Sequence, residues 1–140
     1  MLLGAGAQLP LLFPDQIAGY RATNSGEAVT MHQAESPVFD GLEPLDMAWF
    51  ELGPGHLPTA CYGTYRIDRG REDVRELADH CDIHGYLKTP EDADTVSGSP
   101  LVEINLGQGT VLASEMALEA GPEDPIARRL LCNMIGSLLR

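Results

Sequence analysis

The chain opens on a stretch that could carry chemistry. Residues 2–10, LLGAGAQLP, have the order of a strand, a tight glycine turn and a helix. A dinucleotide-binding turn needs G-x-G-x-x-G, but Leu9 stands where the third glycine is required, and no acidic residue about 20 positions on is clearly placed to hold a ribose. A nucleophile elbow needs a thiol or hydroxyl at its apex, and residues 4–7 are only glycine and alanine. The corner therefore predicts neither a cofactor site nor a nucleophile.

Thiol chemistry elsewhere in the chain depends on three cysteines, Cys61, Cys81 and Cys132. Their odd number and wide spacing favour reduced thiols in a cytoplasmic protein over a disulfide framework. Cys61 and Cys132 are expected to be packing residues, because free cysteine is among the most buried residue types. The alternative is a small cysteine-dependent, amidotransferase-like hydrolase in which Cys61 or Cys81 pairs with a histidine.

A metal site is suggested only weakly by His80, Cys81 and His84. The set lacks the second ligand pair of the strong zinc patterns, so no metal site is predicted. We expect a helix end here, with His80 complementing the helix dipole and Cys81 packed inward. Apolar residues at i, i+3, i+4 and i+7 within 74–81 favour a helix. The stretch DIHGYL that follows is strand-like instead. The sequence leaves open whether residues 71–87 form a helix or strands.

Carboxylates and aromatic residues offer two further kinds of site. The acidic side chains are too numerous for an acid–nucleophile pair to be chosen, and most are expected on a solvated face: Glu27, Glu35, Asp40, Glu43, Asp46 and Glu51. Trp49, with Phe50 and Tyr62, could stack on a sugar, as in a carbohydrate-binding module. Core packing is the expected role of these three rings.

Composition limits the partners. The 140 residues suffice for one domain, and 9 basic against 21 acidic side chains give a net charge of −12. Such a charge repels nucleic acids and anionic membranes. No apolar run is long enough to span a bilayer, and the start lacks the basic region of a secretory signal, so a cytoplasmic protein is expected.

The elements that must position these residues alternate between strands and helices. After the first strand we expect a short helix ending near Gly19, and then strands at 27–32, 47–52 and 60–67. A loop at 35–44 should turn Val38, Phe39 and Leu42 inward. Residues 100–116 predict a hairpin around Gly107-Gln108-Gly109, and Asp124-Pro125 predicts the start of a helix with a wide apolar face. This order indicates an α/β layered domain.

Three blocks carry a resemblance to a known family. They are SPVFDGLEPLDMAWFE, SPLVEINLGQGTVLASEMALE and DPIARRLLCNMIGSLL. Together they resemble the C-terminal part of the class I glutamine-amidotransferase-like domains that accompany β-galactosidase-type glycoside hydrolases. The elbow-like corner at residues 2–10 also resembles the strand–turn–helix that carries the nucleophilic cysteine in active amidotransferases.

The resemblance implies a flavodoxin-like α/β fold with a C-terminal hairpin and closing helix. It implies one partial domain over residues 1–140, lacking its first βα units and the amidotransferase triad. Such domains help to assemble subunits or shape the active-site entrance beside a sugar-cleaving barrel. We therefore expect a non-catalytic accessory domain, without catalytic residues, cofactor or metal. Its expected partner is the barrel of a glycoside hydrolase or a second copy, giving a homo-oligomer.

Overall fold

The computed structural model describes residues 1–23, 28–68, 71–81 and 98–140. Short 3₁₀ turns lie between several of the regular elements. In chain order the strands and helices are β1 (Leu2–Leu3), α1 (Leu9–Leu12), β2 (Gly19–Ala22), β3 (Ala28–Met31), β4 (Gly63–Arg66), β5 (Val74–Glu76), β6 (Ala78–Cys81), β7 (Leu101–Leu106), β8 (Gly109–Ser114) and α2 (Pro125–Leu138).

The largest sheet has four strands in the order β1-β8-β7-β5. β1 runs parallel to β8, with Leu2 opposite Ala113, whereas β8, β7 and β5 pair antiparallel. β2 pairs with β4, and β3 pairs with β6, in two separate antiparallel ladders. The described residues thus form a mixed α/β fold, which confirms the α/β class expected from the order of the elements.

The β7–β8 hairpin confirms the prediction made from its glycines. Leu106 lies opposite Gly109, so only Gly107 and Gln108 connect the strands. Gly107 has a φ of +63°, a conformation that L side chains adopt at a steric cost and that suits a two-residue hairpin turn.

Side chains on both faces of the large sheet are buried. Because successive strand residues point to opposite faces, the two sides belong to different clusters. Leu101 and Leu112 lie with the buried side of α2 in the larger cluster. The smaller cluster contains Leu9 of α1 and the following apolar members: Ile17, Tyr65, Val74, Val102, Ile104 and Ala113. The sheet is therefore the middle of three layers.

Helix α2 begins as predicted and uses both of its faces. The Asp124 side chain caps it, and Pro125 is its first residue. Ala127, Leu130 and Met134 are buried against the sheet. On the polar face, the Asn133 side-chain amide donates to the carbonyls of Val38 and Asp40 at 3.1 and 3.0 Å. The 36–42 loop, whose Val38 and Phe39 are buried as expected, is thereby tied to α2.

Residues Val74–Glu76 and Ala78–Cys81 form strands, and no helix forms within 71–81, which answers for this part of 71–87 the question left open by the sequence. Val74 pairs with Ile104 on β7, and the Leu77 amide donates to the Leu101 carbonyl at 2.9 Å. Pairing of β5 with β7 and of β6 with β3 satisfies the backbone N–H and C=O groups here. These tertiary contacts override the helical spacing of the apolar residues. Residues 82–87 lie outside the described part.

Two other boundaries differ from the predictions. α1 ends at Leu12, well before Gly19, which instead begins β2. Pro14 explains this, because the residue before a proline is disfavoured in a helix, and Phe13 has left helical geometry. The predicted strand 47–52 is also wrong. Residues Pro44–Met47 form a 3₁₀ turn with a capping box, and only Phe50 makes a bridge, to Thr59.

Candidate functional site

The glycine corner adjoins the end of β8. After β1, Gly4 and Gly6 adopt φ values of +58° and +52°, which turns the chain away from the sheet. β1 and β8 are parallel neighbours, so both end at the same edge. Glu115 follows β8 directly, and its Oε1 accepts a hydrogen bond from the Gly6 N–H at 2.8 Å.

Two tyrosines complete this arrangement. The Tyr65 hydroxyl on β4 donates to Oε1 of Glu115, and Tyr20 on β2 lies close enough to the same side chain for Glu115 to raise its pKa. β2 and β4 place Tyr20 opposite Tyr65, with their ring centroids 5.8 Å apart and their planes tilted by 47°. Gly6, Tyr20, Tyr65 and Glu115 are called the corner cluster below.

Two members of the corner cluster are buried, and Gly6 and Tyr20 are half-buried. Glu115 is only 3% exposed and Tyr65 is fully buried. Burial, followed by the hydrogen bond and charge of Glu115, raises the pKa of Tyr65 well above its ordinary value. Burial and the Glu115 charge raise the pKa of Tyr20 as well. Both phenols therefore stay protonated at neutral pH, and the Tyr65 hydroxyl donates to the carboxylate.

Gly63 allows the Tyr20 ring to lie where it does. A Cβ atom at this position would lie 2.3 Å from Cε2 of Tyr20, and no side-chain atom can approach so closely. The ring thus covers the bare backbone of β4. Glycine at position 63 is required for Tyr20 to reach Glu115 in this arrangement.

The hydrogen bonds of the corner cluster decide what it can do chemically. In an elbow enzyme, free backbone N–H groups at the turn stabilise a developing oxyanion. Here the Gly6 N–H already donates to a carboxylate, and a fixed negative charge at that position would repel an oxyanion. The corner cluster thus joins residues of β2 and β4 to the ends of β1 and β8.

The cysteines differ in their surroundings. Cys61 is buried, as predicted, and its Sγ lies 3.8 Å from Oγ1 of Thr23. Cys132 is exposed on α2, so the prediction of a packing role is wrong for that residue. The Cys81 side chain lies outside what the structure describes.

His80 does not end a helix. It is buried within β6, opposite Val29 of β3, so the dipole role predicted for it is wrong. His84 lies outside the described residues. In the ranges that are described, no three potential ligand side chains come together as a metal site would require.

The remaining candidates are placed mostly at the surface. Among the predicted solvated carboxylates, Glu35, Asp40, Glu43 and Glu51 are exposed; Glu27 lies outside the described residues. Phe50 is in the core as expected, but Trp49 is 47% exposed and Tyr62 is also exposed, donating to Glu119. The core prediction is therefore wrong for these two rings.

Glu115 is not among the carboxylates that the sequence singles out. The available signal is an acid inside the apolar stretch LASEMAL, directly after a predicted strand. A charged residue at such a position is rarely buried without partners. Its partners come from residues 6, 20 and 65, however, and only the assembled fold shows them together.

The raised tyrosine pKa values predict sensitivity to alkali. A tyrosine whose folded-state pKa exceeds 10.0 contributes stability that is fully present below pH 10 and is lost as the pH rises through the folded value. The urea midpoint should therefore decrease as the pH is raised from about 9 to 11. Tyr65→Phe should flatten this fall. The exposed Tyr62, whose pKa is raised to about 12, is present in wild type and in Tyr65→Phe and contributes equally to both. Equal slopes of the urea midpoint against pH in the two proteins would contradict the prediction.

Comparison with known proteins gives no relative. Neither a protein-family model nor a curated protein nor a solved structure matches the chain. In the described residues, no helix has both the length and the apolar character needed to cross a membrane. The geometry of the corner cluster therefore carries the functional argument.

Proposed function

We propose that this chain is a non-catalytic accessory domain that acts by binding another protein. The observation that carries the proposal is the hydrogen bond from Gly6 N–H to the buried Glu115 carboxylate. It occupies the backbone donor that acyl-transfer chemistry at the corner would need. The corner then fixes strand ends in place, and its Gly6 N–H is not free for a substrate.

The proposed class is the glutamine-amidotransferase-like, flavodoxin-like domain of glycoside hydrolases. The parallel pairing of β1 with β8 and the apolar layers on both faces of the sheet support it. In this role the domain packs against the catalytic barrel or a second subunit. Within the described residues β1 lies at the edge of the large sheet, and edge strands readily take part in contacts between proteins.

Alkylation by iodoacetamide tests this function against the cysteine-hydrolase alternative. Because Cys132 is exposed and Cys61 is buried, we expect Cys61 to react about tenfold or more slowly at neutral pH. Peptide mapping assigns the label to each cysteine. The unfolded protein in urea is the control, since all three thiols should then react at similar rates.

A hyper-reactive Cys61 or Cys81 would contradict the proposal. So would turnover of a chromogenic galactoside or of glutamine by the purified chain, abolished when that cysteine is replaced by serine. Slow thiols together with no turnover would agree with a domain that works by contact.

A further inference from the structure

His32 follows β3 and ties the end of that strand to β6. Nδ1 of its ring lies 2.8 Å from Oδ2 of Asp79. Asp79 lies opposite Thr30 in the β3–β6 ladder, so the pair joins the two strands where β3 ends. The backbone N–H groups of His32 and Gln33 both donate to the Leu77 carbonyl, at 2.9 and 3.2 Å. Side chain and backbone thus attach this turn to the segment that runs from β5 into β6.

Three carboxylates of the described residues act on the His32 ring, and they come from three different parts of the chain. Asp79 belongs to β6, Glu76 is the last residue of β5, and Glu35 lies in the turn after β3. The charge of each of them acts on the ring. His32 therefore lies where a positive charge is favoured by several neighbours at once.

The basic residues next to these carboxylates along the strands face the other way. Successive strand residues point to opposite sides, so Arg75 lies on the other face from Glu76, where it pairs with Glu103 at 3.2 Å. His80 lies on the other face from Asp79 and is buried. The ring of His32 is half exposed, so it can exchange a proton with water. It is consequently a place where one proton changes the charge at the end of β3.

From this geometry we infer that His32 and Asp79 form a proton-dependent clasp between the end of β3 and β6. With the ring protonated, a charge-assisted hydrogen bond joins the two side chains, and the positive charge offsets the carboxylates around it. With the ring neutral, the hydrogen bond is weaker and that positive charge is gone. The turn that His32 begins then opens more often. The inference is independent of the proposed function.

The direction of the pH dependence follows from the neighbours of His32. The hydrogen bond to Asp79, more than the charges, raises the pKa of His32 above its ordinary value of 6.5, and burial opposes this. A group whose pKa is raised in the folded state contributes stability that is fully present below its unfolded pKa and is lost as the pH rises through the folded value. The clasp is therefore closed in mild acid and loosens as the pH rises above 6.5. Since the two side chains are 43% and 46% exposed, water screens the pair and the effect is small and local.

Native-state hydrogen exchange measured by NMR at about pH 6 and pH 8 tests the clasp. The readout is the protection factor of the His32 and Gln33 amides, which corrects for the intrinsic pH dependence of exchange. We expect protection to fall about two- to fivefold from the lower to the higher pH in wild type. In His32→Gln the position-32 and Gln33 amides should show no such fall, because the side chain no longer titrates.

His56→Gln is the matched control, because it removes an exposed histidine elsewhere in the chain and should keep the wild-type fall. Asp79→Asn separates charge from hydrogen bonding, since the amide oxygen can still accept from the ring but carries no charge. It should reduce the fall in protection and lower the pKa of His32 in an NMR titration of the ring. Equal protection at both pH values in wild type, a fall retained in His32→Gln, or a His32 titration unchanged by Asp79→Asn would overturn the inference.

Discussion

Replacing Glu115 by alanine should destabilise the protein by about 2–4 kcal/mol, because it leaves one buried and one half-buried donor without an acceptor. These donors are the Gly6 N–H and the Tyr65 hydroxyl, both of which bind Oε1. A buried donor that loses its partner costs its full desolvation energy, whereas an exposed donor can bind water. Tyr20 is only partly buried and adds less.

Urea denaturation followed by circular dichroism measures this effect, and Glu119→Ala is the control. Glu119 also accepts from a tyrosine, Tyr62, but both side chains are exposed, so its loss should cost less than about 1 kcal/mol. A similar small cost for Glu115→Ala would show that the carboxylate does not hold the corner together.

A double-mutant cycle locates the coupling. Tyr65→Phe removes the hydroxyl that Glu115→Ala leaves unpaired, so the two changes together should cost less than the sum of the single changes. Strict additivity would show that Tyr65 and Glu115 do not interact. The ring of Tyr65, which is fully buried, is kept by this substitution, and packing is therefore little changed.

The parts of the fold that the sequence predicted are those encoded by neighbouring residues. The hairpin around Gly107 and the cap formed by Asp124 before Pro125 are local signals, and both are confirmed. The strand–turn–helix order at residues 2–10 is also local, and it is confirmed up to Leu12. In each case the residues that specify the conformation lie within a few positions of it.

Non-local pairing explains what the sequence left open or predicted wrongly. Residues 74–81 have helical spacing, yet Val74 pairs with Ile104 and Val29 with His80. Neither partner can be identified from the spacing. Trp49 has a strand-like sequence environment, but the capping box of Glu43 and Asp46 starts a 3₁₀ turn just before it and leaves the ring half exposed.

The candidate site is non-local in the same sense. The first residues of the sequence predict its glycine turn. They also show directly that no turn residue is a nucleophile. The group that occupies the Gly6 N–H, however, is 109 residues away. Glu115 is brought to the corner by the parallel pairing of β1 with β8. Parallel pairing of strands so far apart in the chain has no local sequence signal.

A second large effect is expected at the start of α2. Asp124 Oδ1 accepts from the N–H groups of Ile126 and Ala127 at 2.8 and 3.0 Å, and Oδ2 accepts from the Glu51 N–H at 2.9 Å. The residue is buried. Asp124→Ala should cost about 2–4 kcal/mol, since it removes a helix cap and also leaves the Glu51 N–H without its acceptor.

Asp46→Ala is the matched control for this change. Asp46 caps a 3₁₀ turn by accepting from the Glu43 N–H at 2.8 Å in an exposed setting, and its loss should cost about 0.5–1 kcal/mol. Asp124→Asn should fall between the two, because the amide oxygen can still cap α2 while its NH₂ group cannot accept from Glu51. Urea midpoints rank the three variants, and hydrogen exchange at Ile126 and Ala127 should accelerate only in Asp124→Ala. Equal costs for Asp124→Ala and Asp46→Ala would show that the link from α2 to residue 51 adds nothing, and that the helix is held by the apolar contacts of Leu130 and Met134 alone.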